Sequence, residues 1–131
     1  EPVIDDERSL DRAAVTRVLL HAGKIHWDLA AEVEKNPNEK VALVRLEQYY
    51  PAPIDQLNTI LDSYPNAELY WVQEEPENQG AWPFIALEVV KHLHGRTIKR
   101  ISRSAAASTA TGSPKVHARQ HAEIMEQALN F

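Results

Sequence analysis

The sequence predicts an α/β fold built on a largely parallel sheet covered on both faces. Short runs rich in branched and aromatic residues alternate with stretches of helical apolar spacing, the order expected when crossover helices flank a sheet. The chain is 131 residues long, 44% hydrophobic and 25% charged, which suits a single domain. It contains no cysteine, so disulfides, thiolate-bound metal and a cysteine nucleophile are all excluded.

The elements follow in order. Thr16 to His21 (TRVLLH), Val41 to Leu46 (VALVRL), Glu68 to Gln73 (ELYWVQ) and Thr97 to Ser102 (TIKRIS) read as strands, with Val3 and Ile4 as a weaker edge. Between the first two, Ile25, Leu29 and Val33 recur every four residues, which predicts a helix from Lys24 to about Lys35, ended by Asn36-Pro37-Asn38. Ile54, Leu57, Ile60 and Leu61 predict a second helix, with Asp55 in its first turn and Tyr64-Pro65-Asn66 after it. A third is expected from Trp82 to Leu93, deeply buried through Trp82, Ile85, Val89 and Leu93, with Gly95 as its stop. Ser113 as N-cap and Pro114 at the first position open the last helix, whose Ile124, Met125, Ala128 and Leu129 face inward.

Residues 1–131 therefore read as one domain, with residues 1–15 as a lead-in or linker from a preceding domain. Met125 is the sole methionine and the chain begins Glu1-Pro2, as expected of a piece of a longer polypeptide or a processed product. No apolar run approaches the roughly 20 residues that cross a bilayer, and no secretory segment opens the chain. A soluble, cytoplasmic protein is expected.

The net charge of -5 argues against nucleic acid as a partner, but it hides a division. Residues 1–90 hold 17 acids and 7 bases, whereas residues 91–122 hold 7 bases, four histidines and no acid. Either this third meets an anionic ligand, or it packs against the acidic remainder.

In a parallel sheet the carboxyl ends of the strands share one rim, where ligands bind. The segments on that rim are Ala22-Gly23-Lys24, Glu47 to Pro51, Glu74 to Trp82 and Arg103 to Gly112. Gly23 and Lys24 open a helix, which favours an anion, although neither a GxGxxG nor a P-loop is present. Arg45 and Glu47, two apart at a strand end, suit a structural salt bridge that holds a loop. Glu74, Glu75 and Glu77 form a carboxylate run without a matched ligand set. His117 and His121 have the four-residue spacing of a paired metal site, but no carboxylate lies within their turn, so no metal site is expected. With no GxSxG elbow either, the segment carries no candidate catalytic residue.

Three strings together resemble a known family: ALVRLEQYYPAP at 42–53, LYWVQEEPENQGAW at 69–82 and SRSAAASTATGSPKVHARQ at 102–120. They are similar to the C-terminal domain of the thiamine-diphosphate-dependent component of 2-oxoglutarate dehydrogenase (2-oxoglutarate decarboxylase), of actinobacterial type. The resemblance implies a three-layer α/β/α sandwich of the transketolase C-terminal type, with a mixed five-stranded, mostly parallel sheet whose antiparallel strand is Val3-Ile4. It implies a homodimeric parent that oxidatively decarboxylates 2-oxoglutarate in the tricarboxylic acid cycle and passes the succinyl unit to a lipoyl-bearing succinyltransferase component. Thiamine diphosphate and magnesium would be bound by the preceding domains, because no GDG-to-NN motif occurs here, and no catalytic residue carries over.

Arg103, Ser108, Gly112 and His117 match the family's rim pattern, while Ala106 and Thr109 depart from it. The resemblance further implies an acetyl-coenzyme A effector, for which Lys24, Arg103, Ser108 and His117 are the candidate anion contacts. Glu74, Glu75, Asn78 and Trp82 are expected at a domain or subunit interface. The alternatives are a free-standing regulatory module for a phosphorylated ligand and an interaction domain.

Overall fold

The computed structural model describes residues 1–103 and 114–130. Its sheet has five strands in the order β1-β3-β2-β4-β5, where β1 is Val3–Ile4, β2 Arg17–His21, β3 Val41–Leu46, β4 Glu68–Pro76 and β5 Ile98–Arg103. Only β1 runs antiparallel, on β3; the β2–β3, β2–β4 and β4–β5 pairs are all parallel.

Period-two alternation divides the strands between two cores. On one face Val18, Leu20, Ala42, Val44, Leu69 and Trp71 pack with α2 (Ile54–Asp62) and the segment that begins at α3 (Trp82–Phe84). On the other, Leu19, Leu43, Val72 and Ile101 pack with α1 (Ile25–Lys35) and α4 (Pro114–Leu129). Three layers result, as the resemblance implied. The helical stripes Ile25, Leu29, Val33 and Ile124, Ala128 are the buried ones, with Met125 and Leu129 partly covered.

Residues 1–15 are pinned to this frame. The Asp6 carboxylate accepts from the Leu43 amide at 2.9 Å, and Arg8 donates to the Val41 carbonyl at 2.7 Å. Val3 and Val15 are buried in the first core.

Two expectations need correction. The third helix is unbroken from Trp82 to His92 but is not a regular α-helix: after α3 the chain winds one wide turn over Ile85–Val89, in which the Val90 amide donates to the Ile85 carbonyl, then a tight turn over Val90–His92. Ile85, Val89 and Leu93 are all buried across these changes of pitch. Burial is also one-sided, since Leu87 is 70% exposed.

The second correction concerns β4, which runs on to Pro76 through an irregular register between Val72 and Pro76, so Glu74 and Glu75 belong to a strand end rather than to a loop. The Ser113 cap lies outside the described residues. No helix among the described residues is long and apolar enough to cross a membrane.

Candidate functional site

At the carboxyl rim of the sheet the described residues form an open cleft of about 550 Å³. Lys24 at the head of α1, Arg103 at the end of β5 and His117 in the first turn of α4 all line it, together with Glu47, Glu74 and Glu75. Lys24 and Arg103, expected on one rim, thus meet His117, which the resemblance named, so three of the four candidate anion contacts share one cleft. Ser108 and Gly112, with Ala106 and Thr109, lie outside the described residues.

Local structure explains the placement. Gly23 has φ +76°, which carries the chain from β2 into α1, and nothing lies within 4 Å of where a Cβ would stand. The conformation, rather than space, therefore requires glycine. Lys24 is exposed at the helix start, where the free amides and dipole favour an anion. Arg103 is already partly engaged: its Nε donates to the Glu74 carbonyl at 2.8 Å and one terminal nitrogen to Gln120 Oε1 at 3.2 Å. The other terminal nitrogen makes no hydrogen bond among the described residues.

The basic third of the chain largely meets the acidic remainder. Arg96 pairs with Asp62 at 2.5 Å, Lys99 with Glu68 at 2.8 Å, Lys91 with Glu88 at 2.9 Å, and Arg100 with Glu77. This supports the packing alternative for those four bases. The anion reading narrows to the cleft itself, where three carboxylates share the lining with Lys24, Arg103 and His117.

Next to the cleft stands a braced loop that turns on Gln73. Leu69, Trp71 and Gln73 alternate toward the first core, and Gln73 is buried there. Its Oε1 accepts from Trp71 Nε1 at 2.8 Å and from the Trp82 amide at 2.9 Å; its amide nitrogen donates to the carbonyls of Pro76 and Gln79 at 2.9 and 2.8 Å. Glu75, at the strand end, and Asn78, in the turn after it, are exposed. Trp82 is half-buried against the first core, with the Arg100 guanidinium 5.9 Å from its ring centroid. Arg45 and Glu47 do pair, at 4.0 Å, but the loop start is also held by backbone, the Glu47 amide donating to the Pro2 carbonyl at 2.8 Å. Arg45 spreads over the exposed Trp27 ring instead, 5.3 Å from its centroid.

His21 is fully buried beneath the rim. Its Nδ1 lies 2.8 Å from the Leu19 carbonyl, which can only accept, so Nδ1 carries the proton and Nε2 accepts from His26 Nδ1 at 2.9 Å. The two rings stack with centroids 5.1 Å apart. Burial, above all, pushes His21 down from 6.5 to about 4.

Sequence reasoning missed Gln73, His21 and Asp28. The first two were accessible to period-two parity, which puts Gln73 on the side of Trp71 and His21 on the side of Leu19. Asp28 was not, because it comes near His121 only through the α1–α4 packing.

The 2-oxoglutarate dehydrogenase C-terminal family model matches residues 1–129. The chain belongs to this family. Curated relatives named "Multifunctional 2-oxoglutarate metabolism enzyme" are 49% identical over 122 residues in Mycobacterium sp. strain JLS and 48% in Mycolicibacterium vanbaalenii, covering 91% of this chain in each case. The chain spans about 10% of those relatives' length. The 2-oxoglutarate dehydrogenase C-terminal domain is thus a small part of much longer polypeptides, and these relatives are actinobacterial.

Proposed function

We propose that the chain is the C-terminal domain of a thiamine-diphosphate-dependent 2-oxoglutarate dehydrogenase or decarboxylase, and that its own task is to bind a phosphorylated effector in the rim cleft. The observation that carries this is the convergence of Lys24, Arg103 and His117, from three separate elements, on one concave surface. Lys24 supplies a mobile point charge, and Arg103, held at two nitrogens, keeps a terminal nitrogen for a phosphate oxygen. Glu47, Glu74 and Glu75 confine an anion to the cationic side of the cleft. Acetyl-coenzyme A, with its phosphates, fits this chemistry.

The parent reaction belongs to the preceding domains of the same polypeptide. When bound there, thiamine diphosphate with magnesium supplies the carbanion stabilisation for decarboxylation, before the succinyl unit goes to the lipoyl group of a partner succinyltransferase. The residues described here do not fit that cofactor: the rim glycine, Gly23, leads through Lys24 into a helix, and no GDG motif is present. Glu75, at the end of β4, and Asn78, in the turn after it, are exposed and supply contacts to the preceding domains or to the second subunit of a homodimer, in the cytoplasm.

Calorimetry on the full-length enzyme tests the effector reading from the ligand side. Acetyl-coenzyme A should bind at least about 10-fold more tightly than phosphate-free acetyl-pantetheine, since a charge-assisted contact contributes about 1.5 kcal/mol or more. Equal affinities would contradict it. The 131 residues alone, given 2-oxoglutarate, thiamine diphosphate and magnesium, should release no carbon dioxide, and measurable turnover would overturn their non-catalytic role.

A further inference from the structure

The geometry points to a second site beside the effector cleft, with which it shares Glu74: we infer that Asp28, Glu74 and His121 bind a divalent transition-metal ion of the zinc type. The three residues are far apart in sequence and come from α1, β4 and α4. Each offers one ligand atom, and these atoms lie within 4.8 Å of one another. His121 Nδ1 is 3.0 Å from Glu74 Oε1, and its Nε2 is 3.7 Å from Asp28 Oδ2. Zinc sits about 2.0 to 2.2 Å from nitrogen and oxygen ligands, so a tetrahedral shell spaces adjacent ligand atoms about 3.4 Å apart. One ion binds a single imidazole nitrogen, so the His121 ring and one carboxylate must turn until both carboxylates meet the same nitrogen, a movement bounded by the 4.8 Å spread of the three ligand atoms.

The site answers the objection raised by the sequence. His117 and His121 have paired-ligand spacing on α4 but lack an acid within their own turn; the fold brings the carboxylates from two other elements. His117 lines the rim cleft together with Glu74, one helical turn before His121, and stays with the effector site. With three protein ligands, the fourth position of a bound ion would be open to water.

Two further features support a metal. First, the ligands are pre-positioned: Arg103 ties the Glu74 carbonyl to Gln120, the residue before His121, so the strand end and α4 are cross-linked at the site. Glu74 and His121 are only 22% and 32% exposed, which lowers the entropy lost on binding. Second, the donor set is one imidazole and two carboxylates. Its two negative charges balance a divalent ion, and its mixed nitrogen and oxygen character selects zinc over magnesium or calcium, which prefer oxygen alone.

The competing occupant is a proton. An imidazolium at His121 would bridge the same two carboxylates without any metal. Zinc titration of the intact polypeptide, followed by calorimetry and by metal content after dialysis, separates the two. The wild-type protein should retain one more zinc equivalent than His121→Gln, and Asp28→Asn should weaken that equivalent at least 10-fold. Asp28 sits on an exposed helix face, so its variant keeps the fold, as circular dichroism would verify, even if His121→Gln does not. Identical stoichiometry and affinity in the wild-type and Asp28→Asn proteins, or no zinc retained at all, would overturn the assignment and leave the proton bridge.

Discussion

The indole nitrogen of Trp71 donates to the side-chain oxygen of Gln73 at 2.8 Å, two residues along the same strand and on the same buried face. That one oxygen also takes the Trp82 amide, so the two ends of the QEEPENQGAW segment are fastened at a single buried atom. Replacing Gln73 with Leu keeps the volume but leaves both donors, and the carbonyls of Pro76 and Gln79, without their partner. A buried donor left unsatisfied costs about 1 to 3 kcal/mol, so chemical denaturation should show a loss on the order of 3 kcal/mol. Limited proteolysis should cut first between residues 74 and 81.

Gly80 and Gly23 both have positive φ, at +64° and +76°, but only one of them is crowded. A Cβ at Gly80 would stand 2.9 Å from Glu75 Oε2 and 3.1 Å from Gln73 Oε1. Glu75 can swing away, whereas Gln73 is fixed by its hydrogen bonds. Gly23→Ala should cost only the left-handed conformation, about 1 to 2 kcal/mol. Gly80→Ala should cost more, and thermal melts of the two variants should rank in that order.

The buried histidine sets an acid limit on stability. His21 is held near 4, chiefly by burial and against a hydrogen bond to Leu19 that opposes the shift. As pH falls below about 6.5 the unfolded chain takes up a proton that the folded chain refuses, so stability is full above that pH and declines down to about 4. The loss attributable to His21 is about 3 kcal/mol. His26, also shifted down, first by burial and then by the Arg45 charge, acts in the same direction.

Below pH 4 a separate loss begins. Burial pushes the Asp6 carboxyl up, but the hydrogen bonds from Arg8 and the Leu43 amide outweigh it and hold the group below its usual value. Denaturation midpoints at pH 7 and pH 4.5 should therefore differ less in His21→Leu than in wild type. Equal differences would assign the sensitivity elsewhere.

Much of this fold was legible from local patterns. Strand β2 declared itself through Val18, Leu19 and Leu20, and α1 through Ile25, Leu29 and Val33, because single-strand parity and helical period are short-range signals. The wide turn at Ile85–Val89 was not legible, since its apolar spacing is the same as that of Ile25, Leu29 and Val33 on the regular helix α1. The cleft was half legible: topology placed Lys24 and Arg103 on one rim together with the Glu47 and Glu74 segments, but which of these side chains line one concave surface is set by the packing of α1, β5 and α4. Arg96, Lys99 and Arg100 looked like an unpaired basic run only because Asp62, Glu68 and Glu77 are distant along the chain.

The most direct test of the effector cleft is a calorimetric titration of acetyl-coenzyme A into the full-length enzyme and its Lys24→Ala and Arg103→Ala variants. Lys24 makes no structural hydrogen bond through its side chain among the described residues, so its variant probes binding without disturbing the rim; Arg103→Ala also removes the tie to Glu74 and needs circular dichroism beside it. Loss of a charge-assisted phosphate contact is worth about 1.5 to 3 kcal/mol, and Arg103→Ala should weaken binding about 10-fold to 150-fold, with Lys24→Ala weakening it in the same direction. Unchanged affinity in both variants, with the fold intact, would contradict the account and reduce the cleft to a feature of domain packing.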